Sequence, residues 1–386
     1  MTSFLQMSHN SLSLLSEPWT NGFGGAVLSP VNDGVSATAE AVRKMRLRRA
    51  SDFSCILDPQ LYYPKSQKGK LSEWSFFPAD FETSDPASLS LWTGITEKLA
   101  TVGKDIRAHT VASPCWVPPV YNLAYYAVLV DLGKQLAGLA DDRFIPMQSV
   151  IVSLRTLHNL EEVLRIASAI TETTCPWIYL LIESNESNPR RELVSDNLLR
   201  VMQLIHLLEG SGRKVLVGYT SSDLVLWKAA GANSAATGNF FNVRRFTPSR
   251  FEAGPTGGAP GASYWFEPEL LAFIRQGDLL RLKELTKLSM WSLKHPLMRT
   301  VLKSIEDGDA WIALGWRQFL SWYQDVERDL SPAKALGLIA TAEENWKKLE
   351  TMKVFMEEQP FNAGEWLQSW RKAVLNFKDW IQKTKG

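Results

Sequence analysis

Two carboxylates in this chain stand directly after short apolar runs. Asp58 follows Phe53–Leu57 (FSCIL) and opens the polar burst Asp58-Pro59-Gln60-Leu61-Tyr62, while Glu183 follows Trp177–Ile182 (WIYLLI). An acid where a buried β-run ends sits at the edge of a sheet, where parallel α/β proteins present their chemistry. Asp58 and Glu183 are therefore the candidate nucleophile or general acid/base. Other run-ends supply binding groups: Arg155 after Ser149–Ser153, Tyr219 after Lys214–Gly218, and Glu267 after Ser263–Phe266. The small-residue run Ala235–Gly238 leads into Asn239, Asn242, Arg244 and Arg245, whose amides and guanidiniums suit an anion and polar ligand edges. With Gln60 and Tyr62, these residues make the candidate ligand-binding set. One of Arg244 and Arg245 is expected to pair with a loop carboxylate, and Asp223 is read as a first-turn helix residue.

The residues are far apart in sequence, so a fold must gather them. From Gly24 onward, β-runs alternate with helical stretches: Gly25–Ser29, Phe53–Leu57, Ile106–Val111, Ser149–Ser153, Trp177–Ile182, Lys214–Gly218, Ala232–Thr237 and Ser263–Phe266 are separated by segments of helical character. Long helical crossovers force parallel strands with right-handed connections. Seven or eight such units within roughly 250 residues fit a (β/α)₈ TIM-like barrel, whose chemistry lies at the carboxyl ends of the strands. An open dinucleotide-binding sheet would carry a Gly-rich turn after its first strand. Here that turn is Ser29-Pro30-Val31-Asn32. The expected organisation is an N-terminal arm over 1–23, the barrel over 24–278 and an all-helical C-terminal module over 279–386. That module holds eight of the 15 tryptophans, Trp291, Trp311, Trp316, Trp322, Trp346, Trp366, Trp370 and Trp380. They read as core filling with indole N–H groups near the rim; the sharper reading is a stacking platform for bases or a partner groove.

Composition narrows the function classes. The net charge is +1 with 22% charged residues, which speaks against an electrostatic coat for nucleic acid. Three scattered cysteines, Cys55, Cys115 and Cys175, exclude a disulfide framework and a CxxC zinc cluster, and suit a reducing cytoplasm. No apolar run reaches the ~18 residues of a membrane span, and no signal peptide is read at the N-terminus. His109 and His158 have no neighbour at metal-ligand spacing, so neither a metal nor a cofactor is called for. The basic run Val42–Arg49 ends the first helix, on the side of the barrel away from the mouth.

The blocks AVLSPV, ILDPQLYYP, VGYTSSDLVLWKAAGANSAATGNFFNVRRF and SYWFEPELL resemble an uncharacterised family of bacterial TIM barrels over roughly residues 24–280, which implies the fold. A more distant resemblance is to the tRNA-guanine transglycosylases, barrels that exchange a base through an aspartate nucleophile. With Gly231 on the first Gly of that family's late-strand motif, Asn233 falls at its first Asp and Arg245 at its final Arg. The nucleophile's position is Ala236 and the Cys-rich zinc site is absent, so the resemblance implies base chemistry only with Asp58 or Glu183 as substitute. Phosphate-binding flavin barrels offer a second comparison, in which Ala235–Gly238 and Asn239 would receive a phosphate on backbone N–H groups. The expected function is a barrel enzyme acting at its mouth on a nucleoside-like or phosphate-bearing ligand, by transglycosylase-like base or glycosyl chemistry. The alternative is a catalytically inactive barrel serving as a binding subunit of a multi-protein bacterial, defence-type system, with a protein partner docked on the Trp-rich module.

Overall fold

Eight short parallel strands close on themselves in chain order: β1 (Phe4–Gln6), β2 (Gly25–Leu28), β3 (Ser54–Leu57), β4 (Thr110–Ala112), β5 (Ile145–Ser153), β6 (Trp177–Glu183), β7 (Lys214–Val217) and β8 (Ser234–Thr237), with β8 pairing back to β1. The computed structural model describes residues 3–9, 11–49, 53–63, 69–78, 89–184, 188–251, 262–357 and 363–385. Long helices carry most crossovers: α1 (Val35–Arg49), α2 (Leu89–Asp105), α3 (Leu123–Leu139), α4 (Leu160–Thr171), α5 (Leu198–Gly210) and the short α6 (Leu224–Ala229). Side chains at Asn122 and Asn159 cap α3 and α4 by accepting from Tyr125 N and Glu162 N, so each helix starts where the sequence supplies a short acceptor.

Two assignments change. The expected N-terminal arm contains the first barrel strand, because Phe4, Leu5 and Gln6 pair with Gly25, Ala26 and Val27 on one side while Phe4 and Leu5 pair with Ala236 and Thr237 on the other. A three-residue run inside a Ser/Asn-rich stretch is too short to show a period. Conversely, the run expected to be strand eight is β9 (Tyr264–Glu267), which turns back as β10 (Ala272–Arg275) in an antiparallel pair outside the barrel. The chain reverses through a tight turn with Leu271 at φ +49°. The Gln318 side chain then serves the hairpin edge, accepting from Phe266 N (3.0 Å) and donating to Phe266 O (2.7 Å).

The remaining chain is helical: α7 (Gln276–Glu284), α8 (Met290–Lys294), α9 (Met298–Asp307), α10 (Ile312–Glu327), α11 (Pro332–Thr351) and α12 (Trp366–Lys385). Its tryptophans are core residues. Trp311, Trp322, Trp346, Trp366 and Trp370 are buried, and Trp291, Trp316 and Trp380 are partly buried against the same core. Trp370 Nε1 donates to Leu193 O (2.7 Å) in the β6–α5 loop and Trp346 Nε1 to Leu270 O (2.9 Å), so indole N–H groups tie the helices to the barrel loops and the hairpin. A buried ion pair, Lys228 Nζ to Glu327 Oε1 at 2.9 Å, links α6 to α10. Among the described residues no helix is long and apolar enough to cross a membrane.

Candidate functional site at the barrel mouth

Strand register decides which side chains enter the barrel. Lateral partners in a sheet point to the same face and residues two apart share it. Tyr179 is level with Ser149 on β5 and Leu216 on β7, and Glu183 with Ser153. Continuing β2 and β3 one step past their last pair sets Asp58 beside Ser29. Gln6 lies level with Val27. The inward set thus includes Gln6, Ser29, Asp58, Ser149, Tyr179 and Glu183, a polar group where barrels of this type usually hold Val, Ile and Leu. Tyr179 fits because the facing strands carry small residues. A Cβ on Gly218 would stand 2.5 Å from the Tyr179 ring, and the next inward residue on β8 is Ala236.

Asp58 is fully buried. Its Oδ2 accepts from the Tyr62 hydroxyl (2.6 Å) and its Oδ1 from Gln60 N (3.0 Å). The Tyr179 hydroxyl, which donates to Gln6 Oε1 (2.9 Å), lies beside the same carboxyl. Gln60 continues the network: its Nε2 donates to the Tyr219 hydroxyl (3.1 Å), and its Oε1 accepts from Ser29 Oγ (2.8 Å) and Val31 N (3.1 Å). Gln60 and Tyr219 both hold left-handed backbone, at φ +54° and +56°. For non-glycine residues that costs on the order of 1 kcal/mol each and persists where the surroundings fix it, as at binding and catalytic sites. Burial pushes the Asp58 carboxyl up from 3.8 to about 7, against the opposing pull of the Tyr62 hydroxyl, the Gln60 N–H, the Arg250 charge and the Tyr179 hydroxyl. Cys115, buried beside Asp58, has its thiol pushed well above the ordinary value by burial, so it is not a thiolate nucleophile.

An aromatic roof covers this network. Tyr62 meets Phe246 and Phe251 edge-on at 5.2 and 4.9 Å, Tyr219 meets Phe246 at 5.6 Å, and the Arg250 guanidinium lies 5.3 Å from the Tyr219 ring centroid. Hollows of about 450 Å³ between α11 and α12 and about 580 Å³ between α3 and α4 lie on the outer surface, away from these groups. The chemistry is concentrated under the roof, and we take polar convergence rather than hollow size as the marker of the site.

The other sequence candidates divide among three places. Glu183 faces inward but is half-buried in a different neighbourhood: its charge acts on Tyr121, Tyr125 and Tyr126, whereas the largest ionic influence on Asp58 is Arg250. Arg155 is exposed at the β5 exit, and Asn242 is exposed with its carbonyl accepting from Arg250 Nη1 (3.1 Å). Asn239, Arg244 and Arg245 are buried in structural roles. Asn239 Oδ1 accepts from Ser8 Oγ (2.6 Å), fastening the segment after β1 to the one after β8. Arg244 donates to Gly238 O (2.8 Å) and Asn239 O (2.9 Å), and its guanidinium sits 4.1 Å from the Phe319 ring centroid of α10, so it points at the helices and not at Asp58. Burial depresses it to about 9. Arg245 donates to Arg191 O (3.0 Å) and shares its surroundings with the buried carboxyls of Glu192 and Asp223, which are raised chiefly by burial, Glu192 to about 7. Glu267 is buried near Ser289 and Ser292, at the hairpin and not at a barrel strand exit. The flavin-type phosphate site is closed by the chain itself: a Cβ on Gly238 would stand 2.3 Å from Val243 and 2.5 Å from Gln6 O.

Sequence reading missed Gln6, Ser149, Tyr179, Cys115 and Arg250. Tyr179 sits inside an apolar run, where a hydroxyl facing inward reads as one more core aromatic. Among the described residues, no three His, Cys, Asp or Glu side chains converge to hold a metal ion. His109 Nδ1 accepts from Cys55 N (3.1 Å) at the opposite end of the barrel, and burial lowers it to about 4.

No family model and no curated protein matches the chain. Among solved structures it is similar to a dihydrodipicolinate synthase from Oceanobacillus iheyensis (10% identity, TM-score 0.36, covering 98% of this chain and 96% of that one). It is also similar to an L-ribulose 3-epimerase (11%, 0.37, 93% and 99%) and to a type I 3-dehydroquinate dehydratase from Clostridium difficile (8%, 0.37, 65% and 88%). Scores and identities at this level carry no argument about activity; the barrel rests on its own strand register.

Proposed function

We propose that the chain is a barrel enzyme that moves protons on a small polar ligand at the carboxyl ends of its strands, with Asp58 as general acid/base. The observation that carries this reading is the buried Asp58 carboxyl, raised to about 7 and held by Tyr62 and Gln60. A group that changes protonation near neutral pH both gives and takes a proton efficiently. Tyr62 would keep the carboxyl oriented, and Gln60 with Tyr219 would hold the ligand's polar edge. Protonation of a leaving group by such an acid is also what glycosyl or base transfer requires, so the nucleoside-like ligand stays within the proposal. The phosphate part of that expectation changes its cation: with Arg244 and Arg245 engaged elsewhere, Arg250 is the guanidinium beside the roof.

Mass spectrometry of ligand released by gentle denaturation tests the reading. The wild-type protein should release a small polar molecule that Asp58→Asn retains poorly or not at all. Equal retention by both would overturn the role of Asp58. The aromatic roof favours a second reading, a barrel closed over its own network and used as a binding subunit. In that case no small molecule is released, and Asp58→Asn leaves partner capture intact.

A further inference from the structure

Glu183 ends β6 on the inward face, level with Ser153, and is only half-buried. Among the described residues no cation stands within ion-pair range of its carboxylate, although Arg155 and Arg190 lie nearby in sequence and are engaged in contacts of their own. Three tyrosines from the start of α3 gather around it. Tyr125 donates to Trp116 O (2.7 Å) and meets Tyr121 edge-on at 5.7 Å and Tyr126 at 5.1 Å, which fixes the three rings as one wall. The outer two differ from Tyr125 in one respect: the hydroxyls of Tyr121 and Tyr126 are buried without a hydrogen-bond partner. Tyr126 is itself 1% exposed. Leaving a buried hydroxyl unsatisfied costs about 1–3 kcal/mol, and native structures keep few such groups without a use.

An unpaired carboxylate beside hydroxyls with free lone pairs is rich in acceptors and poor in donors. An ammonium group is the complement, with three N–H donors and a positive charge on one centre. Aromatic walls add favourable surroundings for a cation. We infer that Glu183, with the hydroxyls of Tyr121 and Tyr126, forms a pole of the mouth that holds a protonated primary amine of the ligand. The inference rests on the mouth being the binding site and refines the ligand to an amine-bearing class. The positive group near Asp58 is Arg250, so the two carboxyls would divide the work: Glu183 anchors and Asp58 transfers the proton. Charge on Glu183 also opposes ionisation of Tyr121 and Tyr126, keeping both hydroxyls protonated.

The test is a titration of isotope-labelled protein with methylammonium chloride at neutral pH, followed by NMR, with tetramethylammonium chloride at matched ionic strength as the probe that has no N–H donor. Saturable shifts confined to residues around Glu183 are expected with methylammonium alone. Glu183→Gln should weaken binding about ten-fold or more, as loss of a charge-assisted contact implies, and Tyr121→Phe by a smaller factor. Thermal melting of both variants controls for folding, and Glu183→Asp, which keeps the charge, should retain part of the binding. Absence of saturable shifts, equal response to both probes, or unchanged affinity in Glu183→Gln would each overturn the inference. Asp58→Asn separates the two claims. Ligand retention lost in Asp58→Asn without methylammonium binding in the wild type would sink the amine pole and leave the acid/base reading standing.

Discussion

Substituting Asp58→Asn should make the protein more stable at pH 8, and the direction follows from the carboxyl's surroundings. Asp58 titrates near 3.8 when unfolded and near 7 when folded, with burial the largest cause. The folded state therefore binds the extra proton. Between about pH 4 and pH 7 the native protein holds more protons than the unfolded chain, so stability falls as pH rises through that window and is level above it. From 3.8 to about 7, at about 1.36 kcal/mol per pH unit, the penalty is on the order of 4 kcal/mol. Asparagine carries no charge to desolvate. Its oxygen can accept from Gln60 N and its amide can donate to the Tyr62 oxygen, so both contacts survive in reversed or equal form. Other raised carboxyls, such as Glu192, are common to both proteins and cancel in the difference. Urea unfolding at a series of pH values should show the variant ahead by about 1–4 kcal/mol at pH 8, with the gain shrinking toward pH 5, as loss of a desolvation penalty requires. An Asp58→Asn protein less stable than wild type by about 2 kcal/mol or more at pH 8 would mean that Asp58 is a paired structural anion, and would refute the reasoning.

Three further outcomes test the frame around the site. Glu327→Ala strands the Lys228 ammonium in the interface between α6 and α10, and chemical denaturation should show a loss of about 3–5 kcal/mol, largely recovered by pairing Lys228→Met with Glu327→Leu. Gly218→Ala drives a methyl group to 2.5 Å from the Tyr179 ring, so melting should reveal about 1–3 kcal/mol of overpacking, and the Tyr179–Gln6 contact should be disturbed in NMR spectra. Trp370→Phe removes the donor to Leu193 O (2.7 Å); denaturation should register about 1–3 kcal/mol, and unchanged stability would deny the indole a role in docking α12.

Much of the barrel was legible because seven of its strands are apolar runs followed by turns and helical crossovers. β1 was not, since three residues carry no readable period and their pairing with β2 and β8 is a long-range fact. The run in β9 is as apolar as any barrel strand, and only its antiparallel return to β10 separates it from them. At the mouth, Asp58, Gln60, Tyr62 and Tyr219 were readable as run-ends, and one hydrogen-bonded network contains all four. Arg244 and Arg245 misled for a local reason: a short 3-10 turn over Phe241–Val243 swings both guanidiniums away from the mouth, and the cation beside the roof comes six residues later at Arg250. Tyr179 and Cys115 lay beyond sequence reasoning because inward direction, not residue type, gives them their place.

The protonation of Asp58 is the claim on which the functional reading depends. It can be observed directly by ¹³C NMR of protein labelled at the aspartate carboxyl carbon, with Asp58→Asn assigning the resonance. The account expects a carboxyl signal that titrates with a midpoint near 7 and is missing from the variant. A resonance that titrates near 4, as an ordinary aspartate does, would show an anion fixed throughout the neutral range and would contradict Asp58 as the acid/base of the site.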